Sequence, residues 1–245
     1  MSNRFYVPEI QPQSTAQLID QQAHHALNVM RLKVGDEVTL FDGMGHEFSA
    51  TLCSTTRKTV ELEVADQTDV DREAKRQLTI AAAIPKGDRS RWMVEKLTEI
   101  GVKRFVPLVC QRSSVKVSSS LLAKFEKYVI EASKQCGRNR LMEIGEVTTF
   151  QDLVRSDDSN ATKDAIKLIG STVEPFETPA QLATSQSLNQ DSRLVILIGP
   201  EGGFTSEEME IARSADFQAF SLASSILRIE TAAVTSAAVF INLPE

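Results

Sequence analysis

A run of apolar residues, Leu194 to Ile198, stops abruptly at Gly199-Pro200-Glu201-Gly202-Gly203-Phe204, and a second apolar strand then enters Ser221-Leu222-Ala223-Ser224-Ser225-Ile226-Leu227-Arg228-Ile229-Glu230-Thr231-Ala232. An unbroken apolar run of strand length suits a strand buried on both faces, the interior of a parallel sheet. Glycine has no Cβ, so the glycine-rich loop after it turns sharply and lets backbone approach a ligand closely. Thr205-Ser206-Glu207-Glu208 supplies a helix start, with Thr205 as N-cap and Glu208 at the capping-box position, so part of the motif is a turn into a helix. Pro200 stiffens the loop, and Glu201 places a carboxylate at the carboxyl end of a strand, where open α/β sheets collect their ligands.

Spacing excludes the familiar nucleotide motifs. No lysine follows Gly203 as a phosphate loop requires, and Gly43-Met44-Gly45 sits in a polar hairpin turn with no helix behind it, unlike a dinucleotide fingerprint. Elsewhere the pattern divides the chain in two. Asp36 to Phe41, Glu47 to Leu52 and Thr59 to Val64 alternate as short strands of a small β-rich domain over residues 1–70, and the polar stretch Asp66 to Gln77 reads as a linker. Residues 71–245 read as strand, helix, strand. Apolar runs Leu78 to Ile84, Phe105 to Cys110, Ile166 to Ile169, Leu194 to Ile198 and Phe217 to Leu222 alternate with helices. One helix presents Met93, Leu97 and Ile100 and stops at Gly101; another presents Leu122, Phe125, Val129 and Ala132 and stops at Gly137. This is an α/β domain with a parallel sheet.

The two C-terminal loops resemble those of the knotted SPOUT-class methyltransferases, and are similar to those of the ribosomal RNA small-subunit methyltransferase E family. His24-His25 through Val29-Met30-Arg31-Leu32-Lys33-Val34-Gly35-Asp36, with Phe41-Asp42-Gly43, resembles that family's N-terminal RNA-binding module. Lys86-Gly87-Asp88, Glu95 to Gly101 and Gln135-Cys136-Gly137-Arg138-Asn139-Arg140 resemble its middle. The resemblance implies a PUA-like β-barrel followed by a SPOUT sheet with a C-terminal trefoil knot. It also implies a homodimer and methylation of uridine N3 in 16S ribosomal RNA of the small subunit, with S-adenosyl-L-methionine as cofactor. By the same resemblance Ile198, Gly199, Gly202, Gly203, Leu222, Ile226 and Leu227 line the cofactor site. Where the family reads Leu-Gly-Pro-Arg-Ile-Leu-Arg-Thr-Glu-Thr-Ala, this chain has Leu222-Ala223-Ser224-Ser225-Ile226-Leu227-Arg228-Ile229-Glu230-Thr231-Ala232, losing a glycine, a proline and a basic residue. That departure keeps open a noncatalytic RNA-binding or ribosome-assembly factor of the same fold, and an anion-binding nest at Gly199 to Gly203 is physically permissible too.

Methyl transfer to uracil N3 needs the ring proton removed or the resulting charge held. Arg228, always charged and rich in donors, suits the second role, and Glu201 is a candidate base that equally suits bonding to backbone amides. The net charge of −6 hides a segregated distribution: residues 1–70 hold 5 basic and 10 acidic side chains, residues 71–145 hold 16 and 8, and residues 146–245 hold 6 and 15. A basic middle is the footprint of an RNA-contacting face as well as of an ordinary solvated surface. Arg4, Arg31, Lys33, Lys86, Arg89, Arg138 and Arg140 are the candidate RNA contacts, the last four expected to be exposed near strand or helix ends. Cys53, Cys110 and Cys136 lack metal or disulfide spacing, and His24, His25 and His46 form no ligand set, so no metal is expected. No leader and no membrane-length apolar run stands in the sequence, which points to a cytoplasmic protein without a membrane partner.

Overall fold

The structure is a computed structural model that describes residues 3–155 and 164–243. The chain forms two compact units, one running through Glu73 and including Ile130–Leu141, the other made of Ala74–Val129 and Met142 onward.

The first unit contains β1 (Arg4–Tyr6), β2 (Thr15–Ile19), α1 (Asp20–His24) continuing into a π-helical turn at His25–Val29, β3 (Glu37–Phe41), β4 (His46–Thr55) and β5 (Thr59–Asp69). Their order in the sheet is β1-β3-β4-β5-β2, antiparallel except where β1 lies parallel to β3. Strict alternation explains the core: Phe48, Ala50 and Leu52 of β4 and Val60, Leu62 and Val64 of β5 turn inward onto Phe5, Leu18, Ala23 and Ala26. The stretch Asp66–Asp69, where the expected linker begins, is instead the end of β5, and Gln67–Asp69 pair with His46–Phe48. Its polar composition reflects side chains in solvent on a strand that resumes its pairing after an irregularity between Phe48 and Ala50.

From β6 (Gln77–Ala82) strands and helices alternate: α2 (Asp88–Ile100), β7 (Arg104–Val109), α3 (Ser119–Cys136), β8 (Glu143–Ile144), β9 (Thr148–Thr149), α4 (Phe150–Arg155), β10 (Ile166–Gly170), α5 (Pro179–Ser185), β11 (Arg193–Ile198), α6 (Ser206–Ser214), β12 (Gln218–Phe220) and α7 (Ile229–Asn242). The sheet order is β12-β10-β11-β6-β7-β8, with β9 also pairing β7, and every pairing is parallel. β11 lies between β10 and β6, which is why Leu194 to Ile198 are all buried and all apolar.

Helix ends fall where the sequence puts them. Gly101 takes the left-handed conformation (φ 101°) and its N–H closes on the carbonyls of Leu97 and Thr98, ending α2. Thr205 and Glu208 form the expected capping box on α6. α7 buries Ile229, Ala233, Ser236, Ala237 and Phe240 and packs on α2, β6 and β11. Arg76, 3% exposed, donates from Nη1 to the carbonyls of Phe240 (2.6 Å) and Leu243 (3.2 Å), so a basic group fastens the C-terminal end of that helix.

Candidate active site

Three neighbouring parallel strands, β12, β10 and β11, release their chains at the same end of the sheet. The loops that follow them, Gly170 to Pro175, Gly199 to Phe204 and Ser221 to Leu227, enclose a cleft of about 510 Å³. That position is the crevice outside the carboxyl ends of the strands, where open α/β sheets bind ligands, and the volume suits a molecule of cofactor size.

The glycine loop is shaped by packing as much as by backbone freedom. Gly203 alone among its glycines has positive φ (67°), and its N–H closes a turn onto the Pro200 carbonyl at 2.8 Å. Gly199 owes its identity to Phe204: a Cβ there would stand 3.0 Å from the ring, which packs in turn on Phe150 with centroids 5.4 Å apart. At Gly202 a Cβ would meet Cδ of Arg112 at 3.2 Å, and the Arg112 Nη1 donates to the Gly202 carbonyl at 2.6 Å.

Arg112 is itself positioned by a buried carboxylate. Glu208 is 1% exposed; its Oε2 accepts the Thr205 N–H and its Oε1 accepts the Gln111 N–H, both at 2.8 Å. One side chain therefore caps α6 and fixes the segment after β7. The neighbouring Cys110 thiol is pushed up to about 12, by burial first and by the Glu208 charge second. It stays protonated at neutral pH, which excludes it as a thiolate nucleophile.

The seven residues expected at a cofactor site, Ile198, Gly199, Gly202, Gly203, Leu222, Ile226 and Leu227, all line this cleft, as does Glu201. Ile226 is 81% exposed at its edge. Arg228 is exposed, forms the N-cap of α7 without a side-chain cap bond, and is not among the lining residues. Arg89, expected on RNA, instead lies between two carboxylates, with Nη2 3.7 Å from Glu201 Oε1 and Nη1 3.6 Å from Glu230 Oε1. Lys86, Arg31, Lys33 and Arg140 are exposed.

Arg138 and Arg4 are not the exposed cations that phosphate contact requires. Arg138 is 4% exposed and pairs through two nitrogens with Glu73 (Nε to Oε1 3.0 Å). Arg4 is 9% exposed, donates to Glu47 Oε2 at 2.9 Å and to the Asn139 side chain, and lies over the Phe41 ring at 5.1 Å. Both guanidiniums are folded into their own unit by acids far away in sequence, a pairing no local pattern reveals.

Sequence reasoning missed the loop after β10, Arg112 and Ser236. The first was signalled by Ile166 to Ile169 ending in glycine; a Cβ on Gly170 would meet Ile198 Cδ1 at 3.3 Å. Arg112 follows β7 in the same way that Glu201 follows β11, a rule that could have been applied to every strand end. Ser236 lines the cleft from within α7, and its Oγ is buried without a partner among the described residues.

Comparison with known proteins agrees with this geometry. The family described as RNA methyltransferase domain matches residues 72–241, and that described as RNA methyltransferase PUA domain matches residues 18–65. The ribosomal RNA small subunit methyltransferase E of Bacillus subtilis is 32% identical over 231 residues, covering 91% of this chain and 88% of the relative. A crystal structure of a ribosomal RNA small subunit methyltransferase E from Neisseria gonorrhoeae, bound to S-adenosyl methionine, is 30% identical with a TM-score of 0.87, covering 99% of this chain and 98% of that one. A methyltransferase from Legionella pneumophila in complex with the bound cofactor SAM is 31% identical with a TM-score of 0.86, covering 98% and 97%. Matched in fold and sequence along almost its whole length, this chain belongs to the ribosomal RNA small subunit methyltransferase E family.

Proposed function

We propose that the chain transfers a methyl group from S-adenosyl-L-methionine to N3 of a uridine in 16S ribosomal RNA of the small subunit, acting in the cytoplasm as a homodimer. The observation that carries this reading is the cleft built by the loops after β10, β11 and β12. Its residues fit the cofactor. Ile198, Phe220, Leu222, Ile226 and Leu227 offer apolar surface to a flat base, three loops offer backbone donors and acceptors, and Ser236 Oγ is a buried polar group without a protein partner among the described residues. When bound there, the cofactor supplies an electrophilic methyl on a sulfonium.

The chain's own residues would do the rest. The loops hold the acceptor base and the methyl in line, the orientation from which much of the acceleration comes. Glu201, at the cleft wall, takes the N3 proton, and Arg89 holds its carboxylate from α2. Arg228 faces the RNA from the outer side of the last loop, beside the exposed Ala223-Ser224-Ser225 stretch. Homodimer formation is supported by α7, whose second face carries half-buried Val234, Thr235, Ala238 and Val239, small enough for another helix to come close. The trefoil knot belongs to the same proposal. It is supported by the return of α7 onto α2 and β6 after the two loops. A cytoplasmic site is supported by three free cysteines.

Calorimetric titration with S-adenosyl-L-methionine tests the reading: saturable binding without a response to ATP is expected, followed by 3-methyluridine in nucleoside digests of treated small subunits. Silence toward both nucleotides would favour the noncatalytic binding factor. On the RNA side, changing Lys33 and Arg140 together to alanine is expected to reduce the logarithmic salt slope of RNA binding by roughly 0.7–0.9 for each phosphate that is no longer neutralised. Cofactor affinity should not move; an unaltered slope would show that both are merely solvated.

A further inference from the structure

We propose that Arg112, and not Arg228, is the catalytic cation that holds the negative charge developing on the uracil ring during methyl transfer. The inference rests on the methyl-transfer reading above and adds a residue to it. Two arginines line the cleft, Arg112 and Arg213. Arg213 is engaged with Glu210 three residues earlier on its own helix. Arg112 carries no carboxylate ion pair among the described residues; its bond from Nη1 to the Gly202 carbonyl, at 2.6 Å, leaves Nε and Nη2 of an exposed guanidinium available to a ligand. A donor held in place before the substrate arrives is what charge stabilisation requires, because no reorganisation is then needed at the moment of reaction.

Its stem and the backbone on either side of it are held. Its stem packs where Gly202 lacks a Cβ, its backbone neighbour Gln111 is bonded to Glu208, and Cys110 and Ser113 close a turn beneath it through a 3.0 Å backbone bond and a 2.9 Å bond to the Ser113 hydroxyl. The carbonyl that anchors Arg112 belongs to the residue after Glu201. The base thus belongs to the glycine loop and the cation is tied to the next residue of that loop. In the step, the N3–H proton passes to the Glu201 carboxylate, the N3 electron pair takes the methyl as the methyl–sulfur bond breaks, and that bonding pair stays on sulfur as a neutral thioether. The charge that Arg112 meets is the one carried by the ring carbonyls while the proton is leaving and the methyl has not yet arrived.

Single-turnover methylation of small ribosomal subunits, isolated from cells lacking the enzyme, tests the assignment with R112A, R112Q and R112K. R112A and R112Q are expected to lose roughly two to three powers of ten in rate at neutral pH. Cofactor affinity by calorimetry and the melting temperature should fall far less than the rate. The deficit should shrink as pH rises toward the range in which uracil ionises unaided, and R112K, or guanidinium added to R112A below denaturing concentration, should restore part of the rate. A pH-independent deficit accompanied by weaker cofactor binding, or recovery in R112Q as well as R112K, would make Arg112 a loop anchor and overturn the proposal. Equal activity of R112A and wild type would overturn it too while leaving the methyl-transfer reading intact, whereas an inactive wild type would sink both.

Discussion

Arg4→Ala is expected to destabilise the N-terminal unit by about 1.5–3 kcal/mol, the cost of losing charge-assisted hydrogen bonds at a part-buried site, with a fall in melting temperature on the order of 5–10 °C. The Arg4 side chain is 7% exposed and that of Glu47 is 16% exposed, and with Arg4 gone Glu47 keeps only its 2.9 Å pairing with Arg72. The substitution also removes the donor to Asn139, whose Nδ2 in turn holds the Val70 carbonyl at 3.1 Å. pH gives a second reading. Burial alone would raise the Glu47 carboxyl, but hydrogen bonds and charges from Arg72 and Arg4 outweigh it and hold it at about 2, against an ordinary value of 4.5. Because the folded-state value is depressed, the stabilisation is fully present above the ordinary value and disappears as pH falls toward about 2. The melting-temperature gap between wild type and Arg4→Ala should therefore narrow across that window. Had Arg4 been a phosphate contact, the same variant would keep its melting temperature and lose salt slope in RNA binding; that pattern would refute the structural role.

The order of elements was legible because each rested on a local signal with a physical cause. β11 announced itself by five apolar residues, since a strand covered on both faces has no room for a polar side chain. α2 and α6 announced their ends through Gly101 and the Thr205–Glu208 box. What failed was inference from polarity. Asp66–Asp69 looked like a linker because alternation fades there, yet the backbone ladder continues without needing apolar side chains. Phe217 to Leu222 looked like a six-residue strand, and only Gln218–Phe220 is one, because at the edge of the sheet its inner side pairs with β10 and its outer side meets just an isolated bridge from Glu177.

The site was legible in the same uneven way. Glycines, a proline and a carboxylate after a buried strand mark a ligand loop, and every one of the expected cofactor-site residues lines the cleft. The arginines were not legible. A sequence gives their charge and not their partner: Arg138 is matched to Glu73, Arg89 to Glu201 and Glu230, and Arg4 to Glu47, across separations from 43 to 141 residues. Even the excess of base over acid in residues 71–145 reports on these internal pairs as well as on any RNA-facing surface, so segregation of charge overstates the number of cations free to meet phosphate.

Glu201→Gln is expected to lower the single-turnover rate of methyl transfer by roughly two to four powers of ten, the range for removing a positioned general base. The substitution keeps the side chain's size and its hydrogen-bonding reach, so the loop from Gly199 to Phe204 retains its turn at Pro200 and Gly203 and its packing on Phe150. Cofactor affinity and melting temperature should consequently change little. The competing role is structural: Glu201 lies 3.7 Å from Arg89, which also approaches Glu230 at 3.6 Å, and the trio joins the glycine loop, α2 and the first turn of α7. The Glu201 and Arg89 side chains are 42% and 36% exposed, so this pair is worth at most about 1 kcal/mol. That amount is too small to account for a rate loss of two powers of ten, which corresponds to about 2.7 kcal/mol. Arg89→Ala supplies the contrast, since it breaks the same ion pair while sparing the carboxylate. A large loss in Glu201→Gln beside a small one in Arg89→Ala assigns the proton to Glu201, and equal small losses in both would leave the carboxylate as a tether between loop and helix.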